Sequence, residues 1–140
     1  SAVLANDDIM LTIAPGEHGS TYGGSPMAAS VAIASLSVVR DEQLTRNAFE
    51  MGELFRNEIA KINNPMLLKV RGKGLLNAVV TRPMEHKTAW DICLALKENG
   101  LLAKPTHGDI IRFTPPLIIT KEQMMDSIAI IRKTLDAFGK

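Results

Sequence analysis

Apolar residues recur along this chain with two periods. Spaced by three and four they mark four helices; alternating, or in short runs, they mark strands. Ser25 is a natural N-cap, and Pro26 occupies the first helical position, where a missing N–H costs nothing. The residues that follow, 27–39, are alanine-rich and apolar on nearly all sides. That is the pattern of a buried helix whose small side chains let other backbones come close. Arg40, Asp41 and Glu42 interrupt it. A second helix puts Leu44, Ala48, Met51, Phe55 and Ile59 on one face and is expected to end near Asn63-Asn64-Pro65. The period then changes: residues 67–70 and 75–80 read as two strands joined by Arg71-Gly72-Lys73-Gly74 as a hairpin turn.

A third helix is expected over 88–99, with Ala89, Ile92, Cys93 and Leu96 as its apolar stripe and Asn99-Gly100 as its stop. Residues 101–104 read as a short strand before Pro105, His107-Gly108-Asp109 as a turn, and 110–114 as a strand closed by Pro115-Pro116. Thr120-Lys121-Glu122-Gln123 is a capping box, and Met124, Ile128, Ile131, Leu135 and Phe138 follow at helical spacing. The order predicts an α+β fold, a small antiparallel sheet with helices on one face. The first helices are expected to belong to a different packing unit.

Composition narrows this picture only a little. The 140 residues suit one domain with a real core, and 46% apolar with 22% charged residues is ordinary for a globular protein. A formal charge of +1 gives no reason to invoke nucleic acid or an anionic membrane. One cysteine, Cys93, cannot form an intrachain disulfide and fits a reducing compartment. No apolar run reaches the roughly 18 residues of a spanning helix. The chain opens on Ser-Ala-Val-Leu without an initiator methionine, and Ala2-Val3-Leu4 reads as the end of a strand. The expectation is a piece of something longer, with any targeting segment outside it.

Candidate chemistry gathers at two places. In HGSTYGGSP, residues 18–26, Gly19, Gly23 and Gly24 permit tight turns and close approach, and Ser20 and Thr21 offer hydroxyls. The loop leads into a helix N-terminus, which favours an anion. Neither a Walker A nor a GxGxxG pattern is present, so glycines serving only the turn remain an alternative. The second place is Arg112. Alternation puts it on one strand face with Ile110 and Thr114, opposite Ile111 and Phe113. Its planar fork suits a carboxylate, either a ligand's or that of a structural ion pair. His18 and His107 neighbour glycines and have no second ligand at metal spacing, which favours loop roles over metal binding. Lys104 and Lys73, at a strand end and between glycines, read first as solvated, and Cys93 as a small core residue.

PGEHGSTYGG (15–24), VRGKGLLNAVV (70–80) and NGLLAKPTHGDIIRFTPPL (99–117) together resemble the ornithine-using branch of the class III, fold type I, pyridoxal-phosphate-dependent aminotransferases. The HGSTYGG loop is shared across class III; the stretch before Arg112 is the more specific to this branch. Ser25, where the family commonly has asparagine, is a mild departure, as is the Met-Ala-Ala-Ser that follows Pro26.

The resemblance implies that Ser20 and Thr21 contact the phosphate of pyridoxal 5'-phosphate held by the neighbouring subunit of a homodimer. It implies that Arg112 binds the α-carboxylate of glutamate or 2-oxoglutarate and pairs with an enzyme glutamate when ornithine is bound. It also places the cofactor-bearing lysine, the aspartate that pairs with the pyridinium nitrogen, the aromatic residue stacked on the ring and that glutamate upstream of Ser1. The chain is thus expected to be a C-terminal portion, inactive alone. Residues 1–40 would end the large cofactor-binding domain and 41–140 would form the small domain. The whole enzyme would lie in the mitochondrial matrix or the cytoplasm. A class III relative using acetylornithine or 4-aminobutyrate, and a non-catalytic α+β binding module, stay open as alternatives.

Overall fold

The stretch VRGKGLLNAVV folds as an antiparallel hairpin, β1 (Leu67–Lys73) and β2 (Leu76–Thr81). The turn is shorter than the pattern suggested. Arg71, Gly72 and Lys73 continue β1, and Gly74-Leu75 alone make the loop, with Lys73 opposite Leu76. Gly74 supplies the positive φ (52°) that a two-residue loop requires of one of its members. The other hairpin, β3 (Lys104–Thr106) and β4 (Ile110–Phe113), turns through His107-Gly108-Asp109. β4 pairs with β2, so the four antiparallel strands run in the order β1-β2-β4-β3. The strand expected at 101–104 lies three residues further on and includes Pro105. β3 is an edge strand, and an edge position tolerates a residue without an N–H.

In the computed structural model, residues 2–83 and 88–138 are described. They divide into two units, Ser1–Glu42 and Gln43–Lys140. In the second unit, α3 (Leu44–Ala60), α4 (Ala89–Glu98) and α5 (Lys121–Phe138) cover one face of the sheet. β2 buries Asn77, Val79 and Thr81, and β4 buries Ile111 and Phe113; these meet Phe55 and Ile59, Ile92 and Leu96, and Met124, Ile128, Ile131 and Leu135. The apolar stripes read from the sequence are therefore the core. Both halves of the predicted capping box form: Thr120 N–H donates to Gln123 Oε1 at 3.0 Å and Gln123 N–H to Thr120 Oγ1 at 3.2 Å. A second box, which the sequence reading did not single out, joins Thr88 and Asp91 at the start of α4.

Helix α3 lies unusually close to the first hairpin. A Cβ on Gly52 would fall 1.9 Å from the carbonyl oxygen of Gly74, and one on Gly72 would fall 2.4 Å from Asn77 Oδ1. Into this narrow space Arg56 Nη1 donates to Gly74 O at 3.0 Å and to Asn77 Oδ1 at 2.6 Å. The buried amide of Asn77 also donates to Gly74 O at 3.2 Å. The glycines of the RGKG segment thus permit a close contact as well as a turn.

The first unit is different. α1 (Asp7–Met10) is a single turn, absent from the sequence reading, and α2 (Pro26–Asp41) is a sixteen-residue helix. Residues 2–4 form no strand: a strand exists only through a hydrogen-bonded neighbour, and the described residues place none beside them. No residue of α2 is buried, contrary to its apolar pattern, and Leu36 is 68% exposed. A helix apolar on every side needs cover on every side, and this unit has no second long helix or sheet to give it.

Candidate functional site

Ser20 organises the glycine loop. Its Oγ accepts the Gly23 N–H at 2.9 Å, and its carbonyl accepts the same N–H at 3.3 Å. Gly24, at φ 75°, then redirects the chain into α2. Ser25 stands at the N-cap in extended geometry, but its side chain makes no capping bond. The first backbone bond of the helix runs from Ala29 N–H to Ser25 O at 3.0 Å. The N–H groups of Met27 and Ala28 precede it and are left for an outside acceptor. Ser20 and Thr21 are exposed, and each hydroxyl keeps a proton to donate. Hydroxyls, backbone donors and a sixteen-residue helix dipole form the donor set that a phosphate takes.

Arg112 lies in the second unit, where pairing determines its neighbours. One row across the sheet reads Arg71, Ala78, Arg112, Lys104. Ile111 and Phe113 are buried beneath the helices, so this row belongs to the opposite, open face, as alternation predicted. The same face carries Lys69, Val80, Ile110 and Thr106 in the next row, and Lys73 opposite Leu76. Arg112 lines two hollows. One, of about 400 Å³, also has Arg71, Lys73, Thr106 and His107 in its wall. The other, of about 560 Å³, has Lys104, Leu102, Phe113 and Pro115.

Among the described residues Arg112 makes no ion pair and no side-chain hydrogen bond. The surrounding loops are pinned. Thr81 donates its N–H and its hydroxyl to Asp109 O at 2.8 and 3.0 Å, which fixes the β3–β4 turn. Asn47 Nδ2 donates to Leu117 O at 2.7 Å and to Ile119 O at 3.1 Å, which holds the segment after β4 against α3.

The other sequence candidates separate cleanly. His18 is exposed in the loop before Gly19, and His107 takes a left-handed φ of 48° in its turn. No cluster of His, Cys, Asp and Glu able to hold a metal occurs among the described residues. Cys93 is buried in α4, and burial pushes its thiol up to about 11, so it stays protonated and unreactive at neutral pH. Lys104 and Lys73, read from the sequence as solvated, prove to share a sheet face with Arg112. Only strand register shows this, and the sequence holds no local signal for it. Among the described residues no helix is long and apolar enough to cross a membrane.

Residues 1–135 match the family model described as Aminotransferase class-III. The chain is 60% identical over 135 residues to the mitochondrial ornithine aminotransferase of Drosophila melanogaster, covering 96% of this chain and 31% of that protein. Among solved structures it is similar to an acetylornithine aminotransferase from Elizabethkingia anophelis, with TM-score 0.84, 56% identity, and coverage of 96% of this chain and 36% of that one. It is likewise similar to an ornithine aminotransferase from Plasmodium yoelii, with TM-score 0.85, 49% identity and the same coverage. The chain therefore spans about a third of the length of the relatives it matches.

Proposed function

Because the chain belongs to the class III aminotransferases, we propose that it is the C-terminal part of an ornithine aminotransferase. The whole enzyme moves the δ-amino group of L-ornithine to 2-oxoglutarate, giving glutamate 5-semialdehyde and glutamate. The observation that carries this reading is Arg112, an arginine without an ion-pair partner among the described residues, on the open face of a sheet and lining two hollows. The 60% identity to an ornithine aminotransferase supports it. The family match sets aside a free-standing binding module.

In this proposal residues 1–40 end the large domain of a fold type I enzyme and 41–140 form its small domain. Ser20 and Thr21, with the start of α2, hold the phosphate of pyridoxal 5'-phosphate belonging to the partner subunit of a homodimer. When bound, that cofactor supplies the electron sink and carries the amino group between substrates. The hydroxyls of this chain anchor it by donating to phosphate oxygens. Arg112 receives the α-carboxylate of the dicarboxylic substrate in two parallel N–H···O bonds and so sets its orientation. The mitochondrial designation of the Drosophila relative supports the mitochondrial matrix as the compartment. The 56% identity to an acetylornithine aminotransferase favours one second reading, acetylornithine as the amine.

The test is Arg112→Lys in the complete enzyme, with each half-reaction followed by stopped flow. Lysine keeps the charge and loses the fork. The 2-oxoglutarate half-reaction is expected to slow by about 1.5–3 kcal/mol, roughly ten- to a hundredfold in kcat/KM. The ornithine half-reaction, in which the family's arginine pairs with an enzyme glutamate, is expected to fall less. An equal loss in both, with a lower Tm, would make Arg112 a structural residue. Measuring the amine half-reaction with acetylornithine in parallel separates the two substrate readings.

A further inference from the structure

Arg112 does not stand alone on its face. Lys104 is directly opposite it across the β3–β4 pair, and Arg71 lies on its other side beyond Ala78. Directly opposed side chains have Cβ atoms about 4.5–5.5 Å apart, and like charges so placed destabilise a sheet. Arg71, two strand spacings away, is roughly 10 Å off. Nothing in the strands relieves this repulsion. The open-face positions of all four strands contain Lys69, Arg71, Lys73, Lys104 and Arg112 and no carboxylate. Among the described residues none of the five enters an ion pair. Asp109 lies in the turn beyond the Thr106–Ile110 row. A sheet face that holds like charges in register, with a small alanine between two of them, attracts an anion of more than one charge.

We propose that Lys104, with Arg71 as a weaker second, is a specificity-determining cation. It draws the dianionic 2-oxo acid to Arg112 and disfavours the amine substrate, which bears a net positive charge. This rests on the reading of Arg112 as the carboxylate receiver. Lys104 need not touch the bound substrate. Its field acts on the approaching charge, and such a field changes the capture of a dianion more than its turnover.

Lys104→Gln in the complete enzyme tests the idea. At about 0.01 M salt, where screening extends over about 30 Å, kcat/KM for 2-oxoglutarate is expected to drop about three- to tenfold. The loss should sit in KM and shrink towards nothing at about 1 M salt, where screening acts within about 3 Å. The ornithine half-reaction should hold or rise. Tm should hold or rise too, because a repulsion has been removed. Lys104→Arg should restore the oxo-acid half-reaction. Equal losses in both half-reactions, a salt-independent loss, no loss, or a fall in Tm without selectivity would overturn the proposal. The outcomes also separate it from the reading beneath it. A selective defect in Arg112→Lys without one in Lys104→Gln removes Lys104 alone, whereas no selective defect in Arg112→Lys removes both.

Discussion

Helices α2 and α3 are nearly equal in length, sixteen and seventeen residues, and end in opposite states. α3 concentrates its apolar residues on one face and buries Leu44, Gly52, Phe55 and Ile59, with Phe55 and Ile59 in the core of its own unit. α2 spreads them around the whole circumference and buries none. A single stripe can be satisfied by one neighbouring layer. All-round apolarity demands several, and a unit of 42 residues does not provide them. The more apolar helix is therefore the one whose side chains contribute least to the stability of this chain, and stability and apolarity part company.

The sharpest way to break this comparison is a pair of truncations. Ile92→Ala empties a fully buried site in α4 and is expected to cost about 2–5 kcal/mol, whereas Leu36→Ala in α2 should stay within about 0.5 kcal/mol. Urea denaturation of both variants reads the difference, and equal losses would mean that α2 is covered after all. Glycine gives a second contrast. Gly52→Ala pushes a methyl into the Gly74 carbonyl and should cost about 3 kcal/mol, at the upper end of overpacking, while Gly19→Ala meets open space and should cost almost nothing by the same assay.

The third prediction turns the comparison round, since an exposed region matters through what it binds. In the complete enzyme Thr21→Ala should leave Tm of the cofactor-free protein unchanged and weaken cofactor retention by about 1.5–3 kcal/mol. Dialysis followed by absorbance measures it. Unaltered retention would reduce the HGSTYGG loop to a turn.

What the sequence showed well was whatever depends on neighbours three or four residues away. The stripes of α3, α4 and α5, the Thr120 capping box and the inward pair Ile111 and Phe113 all appear in the structure where the pattern put them. Features set by distant partners were not legible. The hairpin turn is shorter than its sequence pattern because nothing near Lys73 reveals that it pairs with Leu76. β3 begins three residues later than the pattern suggests because Pro105 reads as a breaker unless the strand is known to be an edge. The site divided in the same way. Alternation placed Arg112 on its face, and hydroxyls beside glycines marked Ser20 and Thr21, but the cations flanking Arg112 are neighbours only through register.

The two margins of the sheet have one more consequence. β3 is three residues long with a proline at its centre. β1 carries Lys69, Arg71 and Lys73 and a break in register between Leu67 and Lys69. Long, flat, regular borders with free N–H and C=O groups are what recruit a strand from another molecule. One border here is too short and lacks a donor, and the other is charged and kinked. A folded copy therefore offers a neighbouring copy a poor template for strand addition at either margin of its sheet.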